Sequence, residues 1–327
     1  MEGVDLVLYK SVTVSDGDTN GGRMSYNLIS SNVLNNLFAN VTQSERTAGA
    51  TKYRKVFFKN KNASNETGTN SRIWISLRSL GGDYFRLKAG TDTDTQAEAD
   101  DYTGWLGTGY LSQTLSIDST TITAVFDNAD GVYNGSIIRL CDNSGGEEFL
   151  TVKSSEGVSW NGNTATIITT SGARGTYPAS QNCLVSGVID LGSIVAATSD
   201  WTENSASGTY DESNYPVEVN NIGTVDDTWT ITFTSNTTFT VAGANTGSVG
   251  SGSTASDFQP INPSVGTGNY YFAISASGWG GTWAIGDTVT FTTSHSAAAV
   301  WIKEVIPALT GALTSNRMNL KLYAEGA

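Results

Sequence analysis

Residues 228–234 read Thr-Trp-Thr-Ile-Thr-Phe-Thr, and this stretch indicates the fold class. Trp229, Ile231 and Phe233 alternate with four threonines, and successive side chains of an extended strand point to opposite faces. One face of this stretch is therefore apolar and the other polar, whereas a helix would distribute the same residues around its circumference. The stretch predicts an antiparallel strand with one buried face.

The same residue types are abundant along the whole chain of 327 residues. It contains 36 Gly, 13 Tyr, 11 Phe and 8 Trp, and charged residues make up only 15%. Aromatic and β-branched residues favour strands, and Gly and Ser favour turns. Further strand patterns occur at residues 51–60, 164–169, 286–292 and 318–323. We predict an all-β, multi-domain protein of antiparallel β-sandwiches and a small barrel.

Charge divides the chain into four segments. Residues 1–105 hold 12 basic and 12 acidic residues, residues 106–195 hold 3 and 8, residues 196–295 hold 0 and 9, and residues 296–327 hold 3 and 2. The two ends resemble each other, and the middle is acidic. We predict a discontinuous base domain, 1–105 with 296–327, into which a small β-barrel or sandwich (106–195) and an acidic β-sandwich (196–295) are inserted. The alternative is one large β fold along which the charge drifts.

Composition excludes several classes of function. No stretch approaches the roughly 20 apolar residues of a membrane-spanning helix. The net charge of −13 opposes nonspecific nucleic-acid binding, which depends on contacts from lysine and arginine to phosphates. One basic run stands out, namely Lys52, Arg54, Lys55, Lys59 and Lys61. Acidic residues elsewhere in its segment balance it, so we expect a solvated or protein-contacting strand face.

Cysteine and histidine are scarce, with 2 Cys and 1 His in the chain. A zinc centre built from these residue types takes about four ligands, so we predict no metal centre and no cofactor. Residues 1–5 lack the basic and apolar regions of a signal peptide, so none is expected. Cys141 and Cys183 are then expected to be free thiols from a reducing compartment, and a disulfide between them is the alternative.

The residues needed for common catalytic sites are absent. His295, the single histidine, lies where residues 196–295 meet the base domain, and the chain has no Gly-x-Ser-x-Gly sequence to supply a nucleophile. No Gly-Lys pair is present, so there is no phosphate-binding loop. The 31 acidic residues make chance pairs of carboxylates common. We therefore predict no catalytic residues, and a glycan-degrading enzyme is kept only as an alternative.

The acidic loop at residues 91–101 is the candidate calcium site. Its first positions have the spacing of an EF-hand loop, but Ala97 replaces the required glycine and Thr103 the required glutamate. An EF-hand is therefore excluded. A different calcium site would use Asp92, Asp94, Glu98, Asp100 and Asp101. The alternative is a solvated acidic loop.

Tryptophan raises the question of sugar binding, because flat aromatic rings stack on sugar faces. Trp279 and Trp283 flank a Gly-Gly turn and are expected to be exposed, with a packed loop tip as the alternative. Trp74, Trp229 and Trp301 lie within predicted strands and are expected in the core. A host-glycan-binding module is therefore a second alternative function.

Several blocks of the sequence resemble a family of virion structural proteins found in tailed bacteriophages, mostly contractile-tailed ones. The blocks are residues 21–25, 35–38, 41–45, 49, 52–60, 228–252, 286–288, 300–308 and 315–318. They cover the predicted base domain and the predicted acidic β-sandwich (196–295), whereas residues 106–195 share only a loose likeness to small β modules of phage tails and fibres. Glu304 interrupts the closing run, which is more basic in the family.

The resemblance implies a non-enzymatic structural component of a phage particle, assembled in the host cytoplasm. It implies no catalytic, cofactor or metal-binding residues. We expect a homo-oligomer that docks on other capsid, neck or tail proteins through its base domain, without membrane or direct nucleic-acid contacts. A neck or collar position at the head–tail junction is favoured, capsid decoration is close behind, and a baseplate or tail-fibre position comes third.

Overall fold

The computed structural model describes residues 5–100, 103–314 and 316–326. The chain is 48% strand and 7% helix, in several antiparallel sheets that include a curled half-barrel, so the predicted all-β multi-domain fold is confirmed. The strands are β1 (Leu6–Thr13), β2 (Gly21–Leu28), β3 (Ala50–Asn60), β4 (Gly68–Leu77), β5 (Tyr84–Ala89), β6 (Thr108–Leu111), β7 (Thr121–Phe126), β8 (Ile137–Cys141), β9 (Glu147–Thr151), β10 (Val158–Asn161), β11 (Thr164–Ile168), β12 (Leu184–Ile194), β13 (Ala197–Asn204), β14 (Gly208–Tyr210), β15 (Asp227–Phe233), β16 (Thr238–Gly243), β17 (Gly247–Ser253), β18 (Trp279–Gly281), β19 (Thr288–Ser294), β20 (Ala297–Ile306) and β21 (Asn319–Gly326). The α-helices are α1 (Gln43–Ala48) and α2 (Gln96–Asp100).

The first sheet joins the two ends of the chain, in the order β2-β1-β3-β20-β5. β20 pairs with β3 along its full length, from Ala297 opposite Lys59 to Ile306 opposite Ala50. Its other edge pairs with β5. The expected pairing of the strand near residues 300–306 with strands from the first hundred residues is therefore confirmed.

The second sheet has nine strands and extends beyond residues 106–195. Its main order is β10-β11-β7-β6-β12-β4-β21, and β8 and β9 extend it from β12. One edge of β12 pairs first with β6 and then with β4, where Val188 lies opposite Trp74. One long strand thus carries the hydrogen bonding across the expected boundary between residues 106–195 and the base. The alternating pattern of a strand identifies its buried face and not its neighbours, so the sequence could not show this continuity.

Residues 197–294 form a third sheet, β13-β19-β15-β16-β17, with the short pair β14-β18 beside it. The alternation within residues 228–233 predicts its core correctly, because Trp229, Ile231 and Phe233 are at most 1% exposed. The threonines between them are half-buried or exposed. Ala197 lies opposite Ser294, so this unit leaves and re-enters the base at neighbouring positions. We call residues 197–294 the acidic insert.

Helix α1 brings a carboxylate to strand β3 of the first sheet. Its start is a capping box, in which the hydroxyl of Thr42 accepts the backbone N–H of Glu45 and the Glu45 carboxylate accepts the backbone N–H of Thr42. The same carboxylate lies 2.7 Å from Nζ of Lys52 on β3. The helix is thereby fixed against the strand by a charge pair as well as by its cap.

Candidate functional site

Three side chains with metal-ligating atoms meet where the acidic insert joins the base. Asp92 lies on the loop after β5, Asp226 directly precedes β15, and His295 lies between β19 and β20. Their ligating atoms all lie within 4.8 Å of one another. Nε2 of His295 is 3.1 Å from Oδ2 of Asp226 and 3.5 Å from Oδ1 of Asp92. We call these three residues the junction cluster.

Hydrogen bonds from both units hold the junction cluster in place. Oδ1 of Asp226 accepts the backbone N–H of His295 at 2.5 Å, which joins the start of β15 to the end of β19. Arg23 of β2 donates to the backbone carbonyl of Asp226 at 2.9 Å, which joins the base to the insert. Lys59 of β3 donates to Oγ of Ser296 at 2.9 Å. The cluster therefore lies at a polar contact between the base and the acidic insert, each of which has its own hydrophobic core.

Burial controls the charge of the cluster. Burial lowers the pKa of His295, and the nearby charge of Lys59 lowers it further, so the imidazole is neutral at pH 7. Burial raises the pKa of Asp92, and the neighbouring carboxyl group of Asp226 adds to that rise. Burial also lowers the pKa of Lys59 to about 7. A neutral imidazole thus faces two neighbouring carboxyl groups.

The hydrogen bonding of the cluster is incomplete. Within the described part of the chain, Oδ2 of Asp226 and Nδ1 of His295 are buried without a hydrogen-bond partner. Buried polar atoms are normally paired, because an unpaired one loses its hydration without compensation. The cluster has the residue types of a metal site, and these two buried atoms make no hydrogen bond to a described residue, although Nε2 of His295 lies 3.1 Å from Oδ2 of Asp226.

The other acidic residues of the 91–101 loop do not join Asp92. Asp94 is buried, and both of its carboxylate oxygens have partners. Nζ of Lys55 lies 2.6 Å from its Oδ1, and Nε1 of Trp301 donates to its Oδ2 at 2.8 Å. The carboxylate of Glu98 accepts the backbone N–H of Thr95 at 2.7 Å and so caps α2.

Asp100 points elsewhere, towards the hydroxyl of Tyr53 and the ammonium group of Lys303. Asp101 lies outside the described residues. The described acids of the expected calcium set therefore have separate partners, and the structure does not gather them into one site. Asp92 instead joins two residues far away in sequence.

The two tryptophans of the Gly-Gly turn do not form an exposed platform. Trp283 is 3% exposed and stacks on Phe233 with the ring centroids 4.2 Å apart. Trp279 is half-buried and packs edge-on against Phe233 and Tyr210. The expectation of exposure is wrong because the turn folds back over the apolar face of β15. The expectation that three other tryptophans lie in the core is confirmed for Trp74, Trp229 and Trp301.

The basic run lies on β3 and on the residue after it, and most of it is buried. Lys52, Arg54, Lys55 and Lys59 are between 1% and 7% exposed, and Lys61 is half-buried. Lys52 forms an ion pair with Glu45 of α1 at 2.7 Å, and Arg54 forms one with the loop residue Asp16 at 2.6 Å. Of the expected solvated or protein-contacting strand face, the solvated alternative is therefore wrong. These charges bind loops of the base onto the sheet because β3 lies in its middle.

A cleft of about 610 Å³ lies beside β9, with Glu147, Glu148, Arg174 and Tyr177 in its lining. Its acids already have partners. Glu147 forms an ion pair with Arg139, and the carboxylate of Glu148 accepts the backbone N–H of Arg174 at 2.9 Å. Both carboxylates among the described residues that line the cleft therefore already have a partner.

Comparison with known proteins does not assign a family. No protein-family model, curated protein or solved structure matches the chain. Among the residues that the structure describes, no helix has both the length and the apolar character needed to cross a membrane.

Sequence reasoning singles out two members of the junction cluster and misses the third. It marks His295 as a boundary residue and Asp92 as part of an acidic loop, but nothing in it distinguishes Asp226. The available signal is the pair of acids, Asp226 and Asp227, at the start of β15. Only one of them faces the cluster, because Asp227 instead accepts the backbone N–H groups of Asn245 and Thr246.

Proposed function

We propose that the protein is a non-enzymatic structural component of a tailed bacteriophage particle. It docks as a homo-oligomer through its base and carries the acidic insert outward. The neck or collar at the head–tail junction is the favoured position, and capsid decoration is close behind. The resemblance supports this proposal, and its blocks at residues 52–60 and 300–308 lie on the adjacent strands β3 and β20.

The distribution of exposed apolar side chains carries the proposal. The large ones that are exposed in the described base segments are Val12, Val14, Leu28, Val33, Leu34, Leu80, Leu309, Leu313 and Tyr323. Those exposed in the acidic insert are Tyr215, Ile261 and Ile285. Contiguous exposed apolar surface marks sites of protein contact. The described base segments therefore present more exposed large apolar side chains for such contacts than the insert does.

Three of these side chains lie on two loops that touch each other. Leu80 lies between β4 and β5, and Leu309 and Leu313 lie between β20 and β21. Asn316 connects the loops, because its Oδ1 accepts the backbone N–H of Leu80 at 3.1 Å and its amide group donates to Asp83 at 2.8 Å. We call Leu80, Leu309 and Leu313 the base patch.

Leu309 is the most unusual member of the base patch. It is 85% exposed, and its φ of 64° places it in the left-handed region. That conformation costs a residue with a Cβ about 1 kcal/mol. Because the side chain is exposed, burial of its apolar surface does not offset this cost. A contact with another protein supplies the missing stabilisation.

The charge distribution also favours contacts through the base, with the acidic insert pointing outward. The segment 196–295 has 9 acidic and 0 basic residues, so copies crowded together through it repel one another. The base has mixed charges that can complement a neighbour. An oligomer held through the base keeps the acidic inserts separated in water.

The proposal is tested with two matched triple variants of the full chain. Leu80→Ser, Leu309→Asn and Leu313→Ser remove the base patch, and Tyr215→Ser, Ile261→Ser and Ile285→Ser remove the exposed apolar groups of the insert. We expect the first set to weaken self-association in sedimentation experiments and incorporation into particles, with the thermal unfolding midpoint unchanged. The second set should leave both intact. The reverse pattern would show that the insert is the docking element.

A further inference from the structure

We propose that the junction cluster binds a divalent transition-metal ion, Zn²⁺ being the best fit, through Asp92, Asp226 and His295. This inference does not depend on a role in a phage particle. The count of Cys and His residues argues against zinc, but carboxylate oxygens are also zinc ligands. Two of the three ligands here are aspartates, which that count omits.

The spacing of the ligand atoms fits a small ion with tetrahedral coordination. Zinc bonds to imidazole nitrogen and carboxylate oxygen are about 2.0–2.1 Å long, so neighbouring ligands of a tetrahedron lie about 3.3 Å apart. The two measured separations from Nε2 of His295 are 3.1 Å to Asp226 and 3.5 Å to Asp92. All three ligand atoms lie within 4.8 Å of one another. Small side-chain adjustments therefore place an ion among them, with water in the fourth position.

The buried histidine supplies an independent observation. Its side chain is only 6% exposed, its Nε2 edge faces both carboxylates, and its Nδ1 has no partner among the described residues. Oδ2 of Asp226, the carboxylate oxygen nearest to the imidazole, also lacks a hydrogen bond. An ion bound among the three side chains would take the lone pairs of both Nε2 and Oδ2. A solvated acidic loop would not aim a buried imidazole at two carboxylates.

The cationic side chains at the junction leave these carboxylates available. Among the described residues, neither Asp92 nor Asp226 has an ion pair with a lysine or an arginine. Lys59 donates to Ser296. Arg23 donates to the backbone carbonyl of Asp226 and not to its carboxylate. A divalent ion would supply the two neighbouring carboxyl groups with the positive charge that no described lysine or arginine supplies in an ion pair.

The position of the site gives it a structural consequence. Asp92 belongs to the base, Asp226 to the acidic insert, and His295 to the connection between them. An ion held by all three ties the two units together. It would fix the direction in which the insert projects, and binding to the folded chain alone would raise the stability of the whole.

The test uses the purified full chain, stripped of metal with a chelator and titrated with Zn²⁺ in a calorimeter. We expect one ion per chain and a rise of the thermal midpoint of at least about 3 °C in excess zinc. The chain has a single histidine, so its imidazole resonances in an NMR spectrum report directly on the proposed ligand. They should shift or broaden on addition of Zn²⁺.

Asp92→Asn and Asp226→Asn should each weaken zinc binding at least about tenfold. The amide side chain introduced by Asp226→Asn keeps an oxygen for the backbone N–H of His295, so the backbone connection survives in that variant. Asp190→Asn, an exposed change on β12, is the matched control and should bind like the unaltered chain. Absence of zinc binding, unmoved histidine resonances, or unchanged affinity in both variants would each overturn the proposal. The histidine signals of the unaltered chain decide the question even if a variant fails to fold.

Discussion

Replacement of Glu304 by glutamine should stabilise the protein at neutral and alkaline pH. Glu304 lies on β20, an interior strand of the first sheet, is 3% exposed, and stands opposite Lys52 on β3 and Phe85 on β5. Its Oε2 has no hydrogen-bond partner within the described part of the chain. Burial raises the pKa of this carboxyl group from its ordinary 4.5 to about 7. Ionised Glu304 is therefore an unfavourable charge inside the first sheet.

The sign and size of the effect follow from the two pKa values. The folded protein keeps a proton on Glu304 that the unfolded chain loses near pH 4.5, so stability falls as the pH rises from about 4.5 to about 7. The difference amounts to about 3 kcal/mol above pH 7. The positive charge of Lys52 lowers the pKa of Glu304 and so offsets part of the effect of burial, although its ammonium group also lies 2.7 Å from Glu45. Glutamine preserves the shape of the side chain without the charge.

Denaturant unfolding at several pH values measures this difference. We expect Glu304→Gln to match the unaltered protein near pH 4 and to exceed its stability by about 2–3 kcal/mol at pH 8. Glu212→Gln, an exposed change in the acidic insert, is the control and should stay within about 0.5 kcal/mol at both pH values. Equal or lower stability of Glu304→Gln at pH 8 would refute the reasoning, because it would mean that the ionised carboxylate is stabilised where it lies.

Three further predictions concern the core, the thiols and the acidic insert. Ile231→Ala removes a fully buried side chain and should cost the insert about 2–5 kcal/mol, measured by denaturant unfolding. Half-buried Cys141 should react with a thiol reagent before Cys183, whose pKa burial raises to about 12, and the unfolded, unreduced protein should show two thiols. Replacing residues 197–294 by a short Gly-Ser linker should leave the base folded and incorporated into particles, because the ends of the insert are paired neighbours; a folded but unincorporated variant would contradict this.

The sequence by itself determined the features that depend on neighbours along the chain. Alternation identified the core face of β15, with Trp229, Ile231 and Phe233, because the side chains of a strand alternate regardless of its partners. The similar charge balance of the two ends predicted that residues near 300–306 would pair with the first hundred residues. That prediction holds because both ends contribute strands to one sheet.

Only the tertiary structure decided which strands became neighbours and which loops met. A strand pattern does not specify partners at its edges, so the continuation of β12 from β6 to β4 was invisible in the sequence. The central place of β3 buried lysines that the charge balance of the segment assigned to a solvated or protein-contacting face. Asp92, Asp226 and His295 converge for the same reason. Each precedes or follows a different strand, and only the packing of the insert against the base brings those strand ends together.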